Sequence, residues 1–133
     1  MSRSPHFLSP LVAGPHRDWR CVNRSTGAVL ATALLPAFDR RSRNDGLLGR
    51  DGLPFGTALV LAPCQAVHTW FMRFPIDIVF VSRSGRVLKV KPAVGPWRMV
   101  MRFGAFAVME FAAGGASGLE AGHQLELTRL EPN

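Results

Sequence analysis

The sequence predicts a mainly β fold (α+β): a small antiparallel barrel or sandwich of about seven strands with one or two short helices. Three observations lead there. Short apolar runs recur along the chain and are cut by Gly, Pro, Ser and Asn turn signals. Several runs alternate apolar with polar residues, the period of a strand that faces a core on one side. One stretch alone, from Phe38 to Leu48, reads as a proper helix, so helices can only cover an end or a face of the sheet.

Residues 1–16 hold three prolines and two histidines without periodicity and predict a loose N-terminal arm. Residues 17–130 form the β-rich domain. Trp19–Asn23 and Ala28–Leu34 are strands joined by a turn at Arg24–Gly27, where Gly27 supplies the positive φ. Pro36 suits the first turn of the helix, which runs through Phe38–Arg43 towards Leu48 and stops at Gly49, although Gly46 weakens it. After a loop at 51–56, Thr57–Ala62 is a continuous apolar strand broken by Pro63. Val67–Phe74 is the next strand, and alternation places His68, Trp70, Met72 and Phe74 on one face. Pro75 interrupts the ladder. Beyond it, Ile76, Ile78 and Phe80 share one face, and Asp77, Val79 and Val81 share the other.

Ser82–Gly85 is a hairpin turn, and Arg86–Val90 returns. Pro92–Pro96 is a second break, followed at Arg98–Phe103 by a surface loop or irregular edge strand. Ala105–Phe111 is a strand, with Glu110 beside Val108 on one face. A short helical turn at Ala116–Glu120, a stop at Gly122 and a last strand at Gln124–Leu130 complete the chain.

The 133 residues suit one core. No apolar run approaches the roughly 20 residues of a membrane helix. Prolines interrupt anything resembling a signal segment, so the expectation is a cytoplasmic protein with no membrane span. Net charge is +7, carried by 14 Arg and 2 Lys against nine acids, with +5 in residues 1–50. A basic front half can meet phosphates or anionic lipid. The arginines are not interleaved with aromatics as in an RNA-binding signature, so nucleic acid is not the expected partner. Cys21 and Cys64 belong to no CxxC pair and read as small buried hydrophobes.

Several motifs, taken together in order, resemble the uncharacterised bacterial and archaeal family called domain of unknown function 192. They are Gly46-Leu-Leu-Gly-Arg50, His68-Thr-Trp-Phe-Met72, Pro75-Ile-Asp-Ile-Val-Phe80, Gly85-Arg-Val87, and Glu110 followed by Ala113-Gly114. The resemblance covers roughly residues 20–128. It implies a compact, mainly antiparallel β fold and no established activity. Where the family has Gly-Asp before its last strand, this chain has Gly122-His123. That change alters any polar site the Asp serves, whereas a turn role tolerates it.

Asp77 lies among apolar residues, where an unpaired charge is expensive, so it needs a partner or a task. The structural reading fixes it to Arg50, Arg73 or backbone N–H groups. The functional reading makes it a general base or ligand anchor. Glu110 offers a second carboxylate. The candidate pocket is lined by His68, Trp70, Met72, Asp77 and Glu110, with Arg50 or Arg98 to hold an anionic group. Cys64 and His68 have a zinc-like spacing, but no second close pair completes a ligand set, so no metal and no cofactor is expected. The segment Trp97-Arg98-Met99-Val100-Met101-Arg102-Phe103 has the composition of an interface. The first expectation is therefore a non-enzymatic module that binds a small ligand or protein segment. An enzyme using Asp77, Glu110 and His68 is the alternative, and a weak nucleic-acid binder acting through the basic front half is the third reading.

Overall fold

A computed structural model describes residues 5–130. Its elements in chain order are a short helix α1 (Ser9–Ala13), a 3-10 turn (His16–Asp18), β1 (Trp19–Asn23), β2 (Val29–Ala31), β3 (Ala33–Ala37), α2 (Arg40–Asp45), β4 (Thr57–Leu61), β5 (Ala66–His68), β6 (Ile76–Val81), β7 (Val87–Val94), β8 (Met99–Met101), β9 (Ala107–Ala112) and β10 (Leu125–Arg129). The strands form a five-stranded sheet in the order β3-β4-β9-β6-β7, a three-stranded sheet β10-β1-β2 and a ribbon β5-β8. All pairings are antiparallel except β3 with β4. The five-stranded sheet keeps two open edges, β3 and β7, so the arrangement is sandwich-like and not a closed barrel.

The central sheet is apolar on both faces, and each face has its own core. Val79, Val81, Met109 and Phe111 pack with Cys21, Leu30, Leu125 and Leu127 of the three-stranded sheet. On the other face, Ile76, Ile78, Phe80 and Val108 pack with Leu47 and Leu53 and with Val67 and Val100 of the ribbon. Burial on both faces explains why β6 is buried at every position and reads as a nearly continuous apolar run.

Five local expectations change. Residues 1–4 lie outside the described part of the expected loose arm. In the described part Leu8 and Leu11 are buried in the first core, while residues 12–17 stay exposed. The strand expected at Ala28–Leu34 divides at Thr32, whose N–H goes to Gly56 O, so β2 and β3 join different sheets. Pro36 lies in β3 at a sheet edge, where its missing N–H costs no ladder bond. The helix starts later, at an Asp39 cap: Ser42 N–H donates to Asp39 Oδ1 at 2.7 Å in a reciprocal capping box. Finally, the strand expected over Val67–Phe74 ends at His68. Thr69 turns the chain, and Phe71 takes φ +64°. The helical turn expected at Ala116–Glu120 is a run of turns.

Candidate functional site

A cavity of about 180 Å³ opens between α2 with its following loop, the ribbon, and the face of the central sheet that carries Glu110. Its wall includes Arg43, Leu47, Cys64, His68, Met72 and Glu110. Each is placed by local structure. Arg43 projects from α2, and its Nη1 donates to the carbonyls of Phe38 (2.8 Å) and Ala62 (3.4 Å), tying the helix to the end of β4. Leu47 follows the helix stop at Gly46, where φ is +47°. His68 closes β5 opposite Met99 and stacks on Trp70 with centroids 4.7 Å apart. Glu110 stands mid-strand in β9, opposite Leu59 on one side and Ile78 on the other.

Glu110 is only 4 % exposed. No hydrogen bond or ion pair reaches its carboxylate from any described residue. Every fully buried side-chain nitrogen and oxygen among those residues is satisfied, so the Glu110 carboxylate owes its freedom to contact with the cavity. Burial pushes its pKa up from 4.5 to about 7. Cys64 borders the same space. Burial and, less strongly, the Glu110 charge raise its thiol pKa, partly offset by the Ala66 backbone and by Arg43. A thiol raised in this way is a poor nucleophile at neutral pH.

Asp77 belongs to a different construction. It shares the face of β6 with Val79 and Val81, opposite to the face that carries Ile78 and its neighbour Glu110. Its Oδ1 accepts from Ala93 N–H at 2.8 Å, and its Oδ2 accepts from Gly114 N–H and Ala116 N–H at 3.0 Å each. The pairing of β6 with β7 slips between Ile76 and Ile78, and Ala93 is held there at φ +48°. Asp77 thus fills the ladder gap that this bulge opens. The buried Thr69 does similar work nearby: its Oγ1 donates to Gly95 O at 2.7 Å and accepts from Arg98 N–H at 2.9 Å.

Of the residues singled out in the sequence, the cavity therefore brings together His68, Met72 and Glu110. Trp70 touches this group through His68 and is otherwise half exposed. Asp77 is sealed by backbone N–H groups, which withdraws it from acid–base work with Glu110. Arg50 and Arg98 are exposed and line no part of the cavity. Arg73 pairs with Asp51 at 2.7 Å and not with Asp77. Among the described residues no group of three His, Cys, Asp or Glu side chains is placed to hold a metal ion. Cys21 and Cys64 are both free thiols. Arg43 is among the cavity residues that sequence reasoning passed over, because only the fold brings α2 against the end of β4. His123 plays a turn role: its Nδ1 takes Glu120 N–H at 3.2 Å and lies 2.9 Å from Asn23 Nδ2.

The family profile of DUF192, described as "Uncharacterized ACR", matches residues 22–127. The chain belongs to the DUF192 family. No curated protein matches it. Two solved structures share its fold. One, a protein of unknown function from Novosphingobium aromaticivorans DSM 12444, has a TM-score of 0.70 at 21% identity and covers 82% of this chain and 83% of its own. The other, from Sinorhizobium meliloti 1021 and labelled a candidate transcription regulator, has a TM-score of 0.70 at 19% identity, with 81% and 90% covered. At these identities the likeness speaks for the fold alone. Among the described residues no helix is long and apolar enough to cross a membrane.

Proposed function

We propose that this DUF192 protein is a small-ligand-binding module whose ligand brings a cation or hydrogen-bond donor to Glu110. The observation that carries the reading is the buried, unpartnered Glu110 carboxylate facing the cavity. Such a group costs the fold stability unless something outside the chain satisfies it. The cavity is about 180 Å³, close to the roughly 150 Å³ of a site that takes up benzene. Met72, Leu47 and Leu61 supply apolar contact, and His68 stands at the wall. A ligand of that size with one amine head matches this chemistry.

Benzylamine and benzoate test the reading as a size-matched cation and anion. Thermal-shift and calorimetric titrations are expected to show benzylamine binding, no benzoate binding, and loss of the benzylamine signal in Glu110→Gln. Equal binding of both probes, or binding unchanged in that variant, would overturn it.

The Glu110 pKa near 7 supports a second reading, in which the carboxyl acts as a general acid or base on a bound substrate, with His68 on the wall of the same cavity. Asp77 has no part in this version. The two readings separate by turnover: chemical change of a bound small molecule that disappears in Glu110→Gln favours the enzyme, and its absence favours the binding module.

A further inference from the structure

The loops before β4 and β6 and after β7 and β9 all lie at one end of the five-stranded sheet, as their pairings require. Three of them expose large aromatics: Phe55, then Trp70 and Phe71, then Trp97. The fourth lies against this group, since the Phe55 ring sits beside Gly114. Phe71 is 69% exposed and Trp97 60%. Both are held in the left-handed region, at φ +64° and +65°, which bulky side chains avoid. They meet edge to face at 4.7 Å, outside either core. The fold gains little from keeping two aromatics in strained backbone on its surface, and such strain gathers at functional positions. Asp77 and Thr69, both buried, fasten the loops that bear Trp97 and its neighbours through the bonds to Ala93, Gly114, Ala116, Gly95 and Arg98. The aromatic end is therefore a built surface.

Its charge points to one partner. On the loops at this end the bases are Arg50, Arg73 and Arg98 and the acid beside them is Asp51, while Asp77 is buried and engaged. At the aromatic end Asp51 is paired with Arg73, which leaves Arg50 and Arg98 without side-chain partners among the described residues. Met99 and Met101 extend the exposed apolar surface along the ribbon. We infer that this end docks on an anionic phospholipid surface, with the Phe71 and Trp97 rings at headgroup depth and the arginines on lipid phosphates. Indole rings favour that depth, and basic residues beside exposed apolar groups give peripheral binding without a span. Single-stranded nucleic acid fits less well. Base stacking uses ring platforms spaced along a strand-tracking groove, and here the rings gather in two close pairs, His68 stacked on Trp70 and Phe71 edge to face with Trp97.

The test compares the intact protein on vesicles of pure phosphatidylcholine and of equimolar phosphatidylcholine and phosphatidylglycerol, at low and high salt. Co-sedimentation with the anionic vesicles, weakened by salt and accompanied by a blue shift of tryptophan emission, is expected. Phe71→Gly with Trp97→Gly relieves both strained positions, so it should fold while losing roughly tenfold or more in vesicle affinity. Arg98→Glu, a surface change, should weaken binding to the anionic vesicles alone. The proposal is overturned if anionic vesicles do not retain the protein, or if neither variant alters retention. It is also overturned if an oligouridylate binds more tightly than the vesicles and loses that binding in the same variants. Each of these readouts is independent of Glu110 and its cavity.

Discussion

Asp77 and Glu110 stand on neighbouring strands, one register step apart, and point to opposite faces of the same sheet. Asp77 pairs across with Phe111, and Glu110 with Ile78. The two buried carboxylates therefore never meet. One is saturated by three backbone donors, and the other has none among the described residues and faces the cavity.

Asp77→Asn replaces an acceptor-only group with one that carries N–H donors, so at least one of the three backbone N–H groups faces a donor. Hydrogen bonds to charged groups contribute about 1.5–3 kcal/mol each, and a buried unsatisfied donor costs about 1–3 kcal/mol. The variant should lose roughly 2–4 kcal/mol in urea unfolding. Below the transition it should still give the benzylamine signal expected of the wild type.

Glu110→Gln should have the opposite effect on stability. The folded-state pKa of about 7 lies above the ordinary 4.5, so the folded protein holds this proton more tightly than the unfolded chain does. Stability linked to the group is fully present below pH 4.5 and is lost as pH rises through 7. The full loss is about 3 kcal/mol. Urea melts near pH 5 and pH 8 should therefore show the wild type losing stability, on the order of 2–3 kcal/mol, that the variant keeps.

The same proton governs ligand binding. A cation pairs with the ionised carboxylate, so its affinity should fall about tenfold per unit as pH drops well below 7, with proton release on binding. Calorimetry in buffers of different ionisation enthalpy reads that release directly.

Gly85→Ala tests the hairpin between β6 and β7. A Cβ there would stand 2.5 Å from Leu125 O, and the residue sits at φ +91°. The clash is with backbone that accepts no easy shift, because Leu125 N–H is bonded to Gly85 O at 2.7 Å. A loss of about 2–4 kcal/mol is expected. Gly27→Ala, at φ +82° with open space around it, should lose only about 1 kcal/mol.

Both thiols should react slowly in the native state. Burial pushes the Cys21 thiol up to about 12 and raises Cys64 as well. A thiol reagent at neutral pH should label little until urea is added, and then label both cysteines.

The strands that alternate or run apolar throughout, such as Trp19–Asn23, Thr57–Leu61 and Ile76–Val81, were legible because their pattern repeats within a few residues. The segment after His68 was not. Its alternation continues on paper through Met72 and Phe74, but Thr69 bonds across to Gly95 and Arg98 and turns the chain. Alternation also placed Asp77 with Val79 and Val81 correctly, yet could not say which face Glu110 shared. That depends on the register between β6 and β9, which are far apart in sequence. Arg43 entered the cavity wall for the same reason: its position is set by α2 meeting the end of β4, a contact without local signal.

The two open edges of the central sheet have a consequence for how copies of this protein meet. Unpaired strand edges invite a second chain to add its own strand. Here β3 carries Pro36 and β7 carries Pro92, and the chain's two lysines, Lys89 and Lys91, both lie on β7. Lys91 is exposed, a flexible, strongly hydrated ammonium that keeps a neighbouring backbone away, while Lys89 donates to Met101 O of the ribbon. The sheet ends at its own edges, and crowded molecules of this protein are protected from zipping together along them.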